Sequence, residues 1–196
     1  MYLQGRPVIS AISVIAIAAS PLMACGSNGT AEKVEPKSSA SPGTPNFDDI
    51  PGQIPANSTT TPAGQAAAPV GGCANITGPR ADSKLEIVDC VSAGASYKIV
   101  QRVAYPTECA ADVDKQYYHG GVDSQWAACL DYLWKSDQCL SVTKDLTMRV
   151  QCNDHKAQNV QLPTKVILNT TTTANCLTGG FAHPVRRFTV CTETQP

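Results

Sequence analysis

Large aromatic rings are scarce in this 196-residue chain, with six Tyr, three Phe and two Trp. A core built from so few of them depends on additional cross-links for its stability. Charge is also thin, at 16% of residues, and from Cys73 onward 12 Lys and Arg stand against 12 Asp and Glu. That balance implies no basic face, so nucleic acid is a poor partner. There are only three histidines, and neither a C-x-x-C pair nor a G-x-S-x-G elbow occurs. Their absence argues against a thiol–disulfide enzyme and a serine hydrolase. With no catalytic constellation and no phosphate loop, neither an enzyme nor a cofactor is expected.

Cysteine, by contrast, is abundant. Nine are present: Cys25, then Cys73, Cys90, Cys109, Cys129, Cys139, Cys152, Cys176 and Cys191. No two lie closer than ten positions, whereas zinc sites usually bring two ligands within a few residues. No metal is therefore expected, and the eight cysteines after Cys25 predict disulfides formed in an oxidising compartment.

Cys25 is left over, and the amino terminus gives it a use. Arg6 precedes the apolar run Val8–Ser20, 13 residues long, too short to cross a membrane and suited to a signal-peptide core. The run leads to Leu22-Met23-Ala24-Cys25. This resembles the bacterial lipobox, which implies a signal peptide over 1–24, cleavage between Ala24 and Cys25, and diacylglyceryl transfer to the Cys25 thiol. An ordinary cleavage site wants a small residue where Leu22 stands. Two acyl chains hold a protein firmly where one binds only reversibly. The expected location is the outer face of the bacterial cell membrane, with the membrane as partner through the Cys25 lipid.

Residues 25–72 are rich in Pro, Ser, Thr, Ala and Gly, and 26–72 hold seven of the 14 prolines and one aromatic, Phe47. Such a segment buries too little apolar surface to offset its ordering entropy and is expected to be a disordered tether. The region 73–196 is then the cysteine-rich domain.

That domain reads as one unit written twice, over 73–134 and 135–196. SKLEIVDC (83–90), ASYKIVQRV (95–103) and QWAACLDY (125–132) answer to DLTMRVQC (145–152), KAQNVQLPTKVI (156–167) and RRFTVCTE (186–193). The β-branched and alternating character of these runs predicts strands, with a short helix around Glu108–Tyr117. The fold class expected is β-rich, a disulfide-stapled domain of two tandem repeats. Equivalent pairing within each repeat gives Cys73–Cys90, Cys109–Cys129, Cys139–Cys152 and Cys176–Cys191. Pairing swapped between the halves satisfies the same counts.

The approaches IVDC and VQC, the ASYKIV segment and the closing AACLDY resemble actinobacterial lipoproteins of the LppU type and, more distantly, septum-formation-type domains. In the latter a Pro-His or similar pair often follows the second cysteine; here Asn153-Asp154-His155 takes that place, in the second half only. The resemblance implies an exported actinobacterial protein and carries over no catalytic residue.

Two functions stay open. One is a non-catalytic interaction module docking an envelope protein or wall component. The other is a carrier of a lipid or small apolar ligand, for which Trp126, Tyr132 and Trp134 are the candidate patch, although packing against the Cys129 disulfide is the plainer reading. His119 is read as marking an exposed turn, His155 as facing solvent beside a turn, and His183 as capping a loop before the last strand. A first prediction concerns the anchor. Cys25→Ser moves the protein from the detergent phase to the aqueous phase on phase partitioning and abolishes labelling by a fatty-acid analogue.

Overall fold

The computed structural model describes residues 46–58, 67–121 and 124–196, within one compact unit, Ala40–Pro196. The signal segment 1–24, Cys25 and the tether residues 26–45 and 59–66 lie outside the described residues. Among those described, no helix is long and apolar enough to cross a membrane.

Ten described strands form two five-stranded antiparallel sheets. The first holds β1 (Cys73–Thr77), β2 (Lys84–Val88), β3 (Tyr97–Val103), β4 (Lys115–Gly120) and β5 (Gln125–Tyr132), in the order β2-β1-β3-β5-β4. The second holds β6 (Cys139–Val142), β7 (Thr147–Val150), β8 (Val160–Leu168), β9 (Gly180–His183) and β10 (Phe188–Thr194), in the order β7-β6-β8-β10-β9. Strand for strand the topology is the same, which bears out the β-rich, two-repeat reading.

The register repeats as well. Cys73 on β1 faces Val88 on β2, and Cys139 on β6 faces Val150 on β7. In each case the bridged cysteine, Cys90 or Cys152, follows two residues later. Cys129 on β5 pairs with Gln101 and Gln116, and Cys191 on β10 with Lys165 and Gly180. Beside each of these cysteines the long neighbouring strand skips one residue, Val100 on β3 and Thr164 on β8. Such bulges bend a strand and raise its twist. Cys109–Cys129 and Cys176–Cys191 complete the set, so all four bridges stay within a half.

Each half has its own apolar core. Ala74, Ile76, Tyr97, Ile99, Trp126, Ala128 and Leu130 form the first, with Ala68 added from before β1. Trp134, Leu140, Val142, Phe188 and Val190 form the second. Tyr132 packs against both. The register makes Gln161 and Thr192 the counterparts of Tyr97 and Leu130. In the second half this buried corner is polar, and the Thr192 hydroxyl donates to Gln161 Oε1 at 2.7 Å. A satisfied polar pair holds the position that Tyr97 and Leu130 hold in the first half.

Three expectations are corrected. The segment Glu108–Tyr117 is not helical; a 3-10 turn at Pro106–Glu108 leads on to β4. Each half has five strands where three were read, because β1, β4, β6 and β9 are short and cysteine- or glycine-bearing or mostly exposed. Parts of the expected tether, 46–58 and 67–72, are placed on the domain. The Asn46 side chain accepts from the backbone N–H groups of Asp48 and Asp49, and this turn directs Phe47 and Ile50 into the second core, 4% and 3% exposed. Lys98 Nζ donates to Asp48 O and Ser58 Oγ to Val100 O. Gly71 N–H donates to Ile99 O, and Ile99 N–H to Gly72 O. Average composition concealed two well-spaced apolar side chains, and a core short of rings absorbed them.

Phe47→Ala is therefore expected to destabilise the domain by about 3 kcal/mol, as loss of a buried phenyl ring does. Urea denaturation followed by Trp fluorescence checks this; an unchanged midpoint would place the segment outside the cooperative fold.

Candidate functional site

The junction between the halves concentrates ionisable groups in a protein that otherwise has few. Its positive member is Arg186, in the four-residue loop 184–187 joining β9 to β10. The hairpin closes with Arg187 N–H donating to His183 O at 2.7 Å, and Arg187 holds the left-handed conformation, φ 61°. Arg186 and His183 are thereby presented to the first half from one tight turn.

The acceptors come from the first half. Asp131 lies on β5, and Asp112 and Asp114 lie in the turn and bend that lead into β4. Cys109–Cys129 staples this approach to the sheet, where Cys109, Cys129 and Val100 form a small apolar cluster with Val103 and Val113.

Every N–H of the Arg186 guanidinium is used. Nε donates to Asp112 Oδ1 (2.8 Å) and Nη1 to Asp131 Oδ2 (2.6 Å) and Gln53 O (2.9 Å). Nη2 donates to Asp131 Oδ1 (2.9 Å) and Asp112 O (2.8 Å). The Arg186 backbone N–H adds a bond to Asp112 Oδ2 at 2.9 Å. The guanidinium also lies 5.2 Å from the Phe188 ring centre. Arginine has five donors in a rigid fork, and lysine, with three, would leave acceptors unmet. One side chain thus joins the second half, the first half and the segment before β1.

The two aspartates on this guanidinium are shifted in opposite directions. Burial alone would raise Asp112, but the hydrogen bonds and charge of Arg186 outweigh it and hold its carboxyl below the usual range. Asp131 is raised, by burial first and then by the charge of Asp114, and Arg186 does not fully offset these. Tyr132 is pushed up to about 12 by burial and by Asp114. His183 Nε2 is 3.4 Å from Asp114 Oδ1, and its ring stacks on Phe188 with centres 4.2 Å apart. Asp114 Oδ2 accepts from the Tyr132 N–H at 2.8 Å. Arg149 of β7 adds a second tie, donating to Ala95 O and Leu133 O of the first half.

The aromatic patch of the sequence reading is not one surface. Trp126 belongs to the first core, 8% exposed, and Trp134 to the second, 2% exposed. Tyr132 and Trp134 pack with Phe181 across the halves, at 5.4 and 5.1 Å between ring centres. None of the three shares the small cluster of the Cys109–Cys129 bridge. His119 is on β4 rather than in a turn, exposed and stacked on Trp126, and His155 is exposed in a turn as expected. His183 ends a strand and is buried, 1% exposed. Sequence reasoning missed Asp112, Asp114, Asp131 and Arg186. No motif announced them, and ADVD forms a turn and a bend in place of the helix read there.

Arg186→Met is expected to cost about 3–5 kcal/mol at pH 7, the usual penalty for leaving buried carboxylates without their partner. The sign with pH follows. In the native protein the lowered Asp112 contributes stability above the usual carboxylate range, lost as pH falls through its depressed folded value. In the variant both carboxyls titrate high in the folded state, so acid relieves them. The deficit should shrink between pH 7 and about pH 4.5 in urea denaturation, and a deficit independent of pH would exclude charge as its origin.

No family model, no curated protein and no solved structure matches this chain, so a role has to be argued from the geometry.

Proposed function

We propose that this protein is a lipid-anchored cell-envelope lipoprotein whose domain is a non-catalytic interaction module, docking another envelope protein on the free edge of the first sheet. The observation that carries this reading is the character of β2. Among the described residues it is an edge strand, paired only with β1, and it exposes Ile87 at 43%, with Val91 at 81% on the turn that follows. An unpaired edge presents backbone donors and acceptors for an added strand, and the apolar side chains beside it supply contact area. The Thr77 hydroxyl bonds Glu86 Oε1 at 2.9 Å, tying β2 to its neighbour and holding the edge in place.

The lipobox at Cys25, the signal segment before it and the likeness to LppU-type lipoproteins support the location outside the membrane. The junction is consistent with a rigid scaffold, since Arg186 engages Asp112, Asp131 and Gln53 at once. The carrier alternative loses its support, because Trp126, Tyr132 and Trp134 are used in packing.

Chemical cross-linking in living cells, read by mass spectrometry, tests the proposal. The full chain should capture one dominant envelope protein, lost when 73–196 is deleted and the anchor kept. Ile87→Lys, at an exposed position where substitutions usually cost within about 0.5 kcal/mol, should lower the yield several-fold without moving Tm. An unchanged yield would remove β2 as the docking edge. No specific cross-link with several reagents would overturn the module reading and favour a retained ligand, sought by native mass spectrometry.

A further inference from the structure

We propose that Asp114, Asp131 and His183 form a binding site for a divalent transition-metal ion, with zinc the ion that their donors suit, clamping the two halves together. One ligand atom from each residue lies within 4.8 Å of the other two. Asp114 and Asp131 come from the first half and His183 from the second. The ligands are 17 and 52 positions apart in sequence, so no short spacing motif announces them.

Three observations point to an ion. The first is His183 itself. Its side chain is 1% exposed, yet neither ring nitrogen has a hydrogen-bond partner. Buried polar atoms are rarely left this way, and each such case asks for an explanation. The ring is directed at the carboxylates all the same, with Nε2 as the atom nearest Asp114.

The second is the spacing. A charge-assisted hydrogen bond between imidazole and carboxylate would close to about 2.7–2.9 Å. The Nε2 to Asp114 Oδ1 distance is 3.4 Å. Two ligands on a tetrahedral zinc, with bonds near 2.0–2.1 Å, are separated by about 3.3–3.4 Å. The gap is longer than a charge-assisted hydrogen bond and matches the separation of two atoms sharing an ion.

The third is charge. Three carboxyl groups, those of Asp112, Asp114 and Asp131, gather around one guanidinium, Arg186, where Asp131 is 1% exposed. A divalent cation would supply further positive charge among these carboxylates. Arg186 uses one acceptor position on each Asp131 oxygen, and a carboxylate oxygen has a second. One imidazole nitrogen with two carboxylate oxygens suits zinc, which binds such sites more tightly than manganese or iron(II) does. Asp114, with its side chain 10% exposed, is the ligand nearest to solvent and marks the path of entry.

The test uses the full chain in detergent, without a histidine tag, stripped with chelator and dialysed against zinc at pH 7. Elemental analysis should find one zinc per chain, and saturation at a hundredfold excess over Kd should raise Tm by about 5 °C or more. Asp114→Asn, which keeps an acceptor for the Tyr132 N–H, and His183→Gln should each lose that equivalent and the Tm response. A His119→Ala/His155→Ala variant should keep both. Failure of the unsubstituted protein to retain zinc overturns the proposal whether or not any variant folds. So does zinc that survives in the Asp114 and His183 variants, or that disappears with the surface histidines.

Discussion

One guanidinium makes the densest set of ties across the junction. Arg186 donates all five of its N–H groups to acceptors on Asp112, Asp131 and Gln53, which lie on three segments far apart in sequence. Placing that charge in the interior carries a large desolvation cost, recovered only when geometry and hydrogen bonding are complete. The tight β9–β10 turn aims the side chain, the Cys109–Cys129 bridge fixes the Asp112 approach, and the segment around Gln53 closes the last position. A buried pair of this kind is weak evidence for stability on its own. Its plainer consequence is that one docking of the halves satisfies the polar groups, while an altered one would strand them.

The two repeats share topology, disulfide placement and even the position of a bulge, yet they have parted at the positions that matter for the junction. His119 and His183 occupy equivalent places on β4 and β9, each opposite an aromatic residue of the next strand, Trp126 or Phe188. His119 rests on its ring in solvent, and His183 is enclosed by the first half. The second core takes Phe47 and Ile50 from the segment before β1, whereas the first has Tyr97 and Trp126 of its own. Symmetry supplied two scaffolds, and divergence at their contact produced the cluster of carboxylates, guanidinium and imidazole.

These features suit a protein working outside the cell, as proposed. Four disulfides compensate for a modest supply of large apolar side chains, each closing a loop of 13 to 20 residues and so restricting the unfolded chain. A metal at the junction would add a cross-link between the halves, which the disulfides do not provide. A body held in that way can present the β2 edge in a constant orientation, and the proposed anchor would keep it near the membrane.

The sequence by itself determined the strand-rich class and pointed to the duplication and to disulfides, while the structure decided between pairing within the halves and pairing across them. The class and the duplication depend on local alternation and on cysteine order, which survive when individual residues change. It did not show that Phe47 and Ile50 would leave the expected tether for the core, because the gain lies in a cavity formed by distant strands. Nor did it show the site. Asp112, Asp114, Asp131, His183 and Arg186 are individually ordinary residues in turns and strand ends, separated by up to 74 positions. Only the tertiary structure brings them together, because burial and proximity, which give these charges their chemistry, are properties of the packed halves.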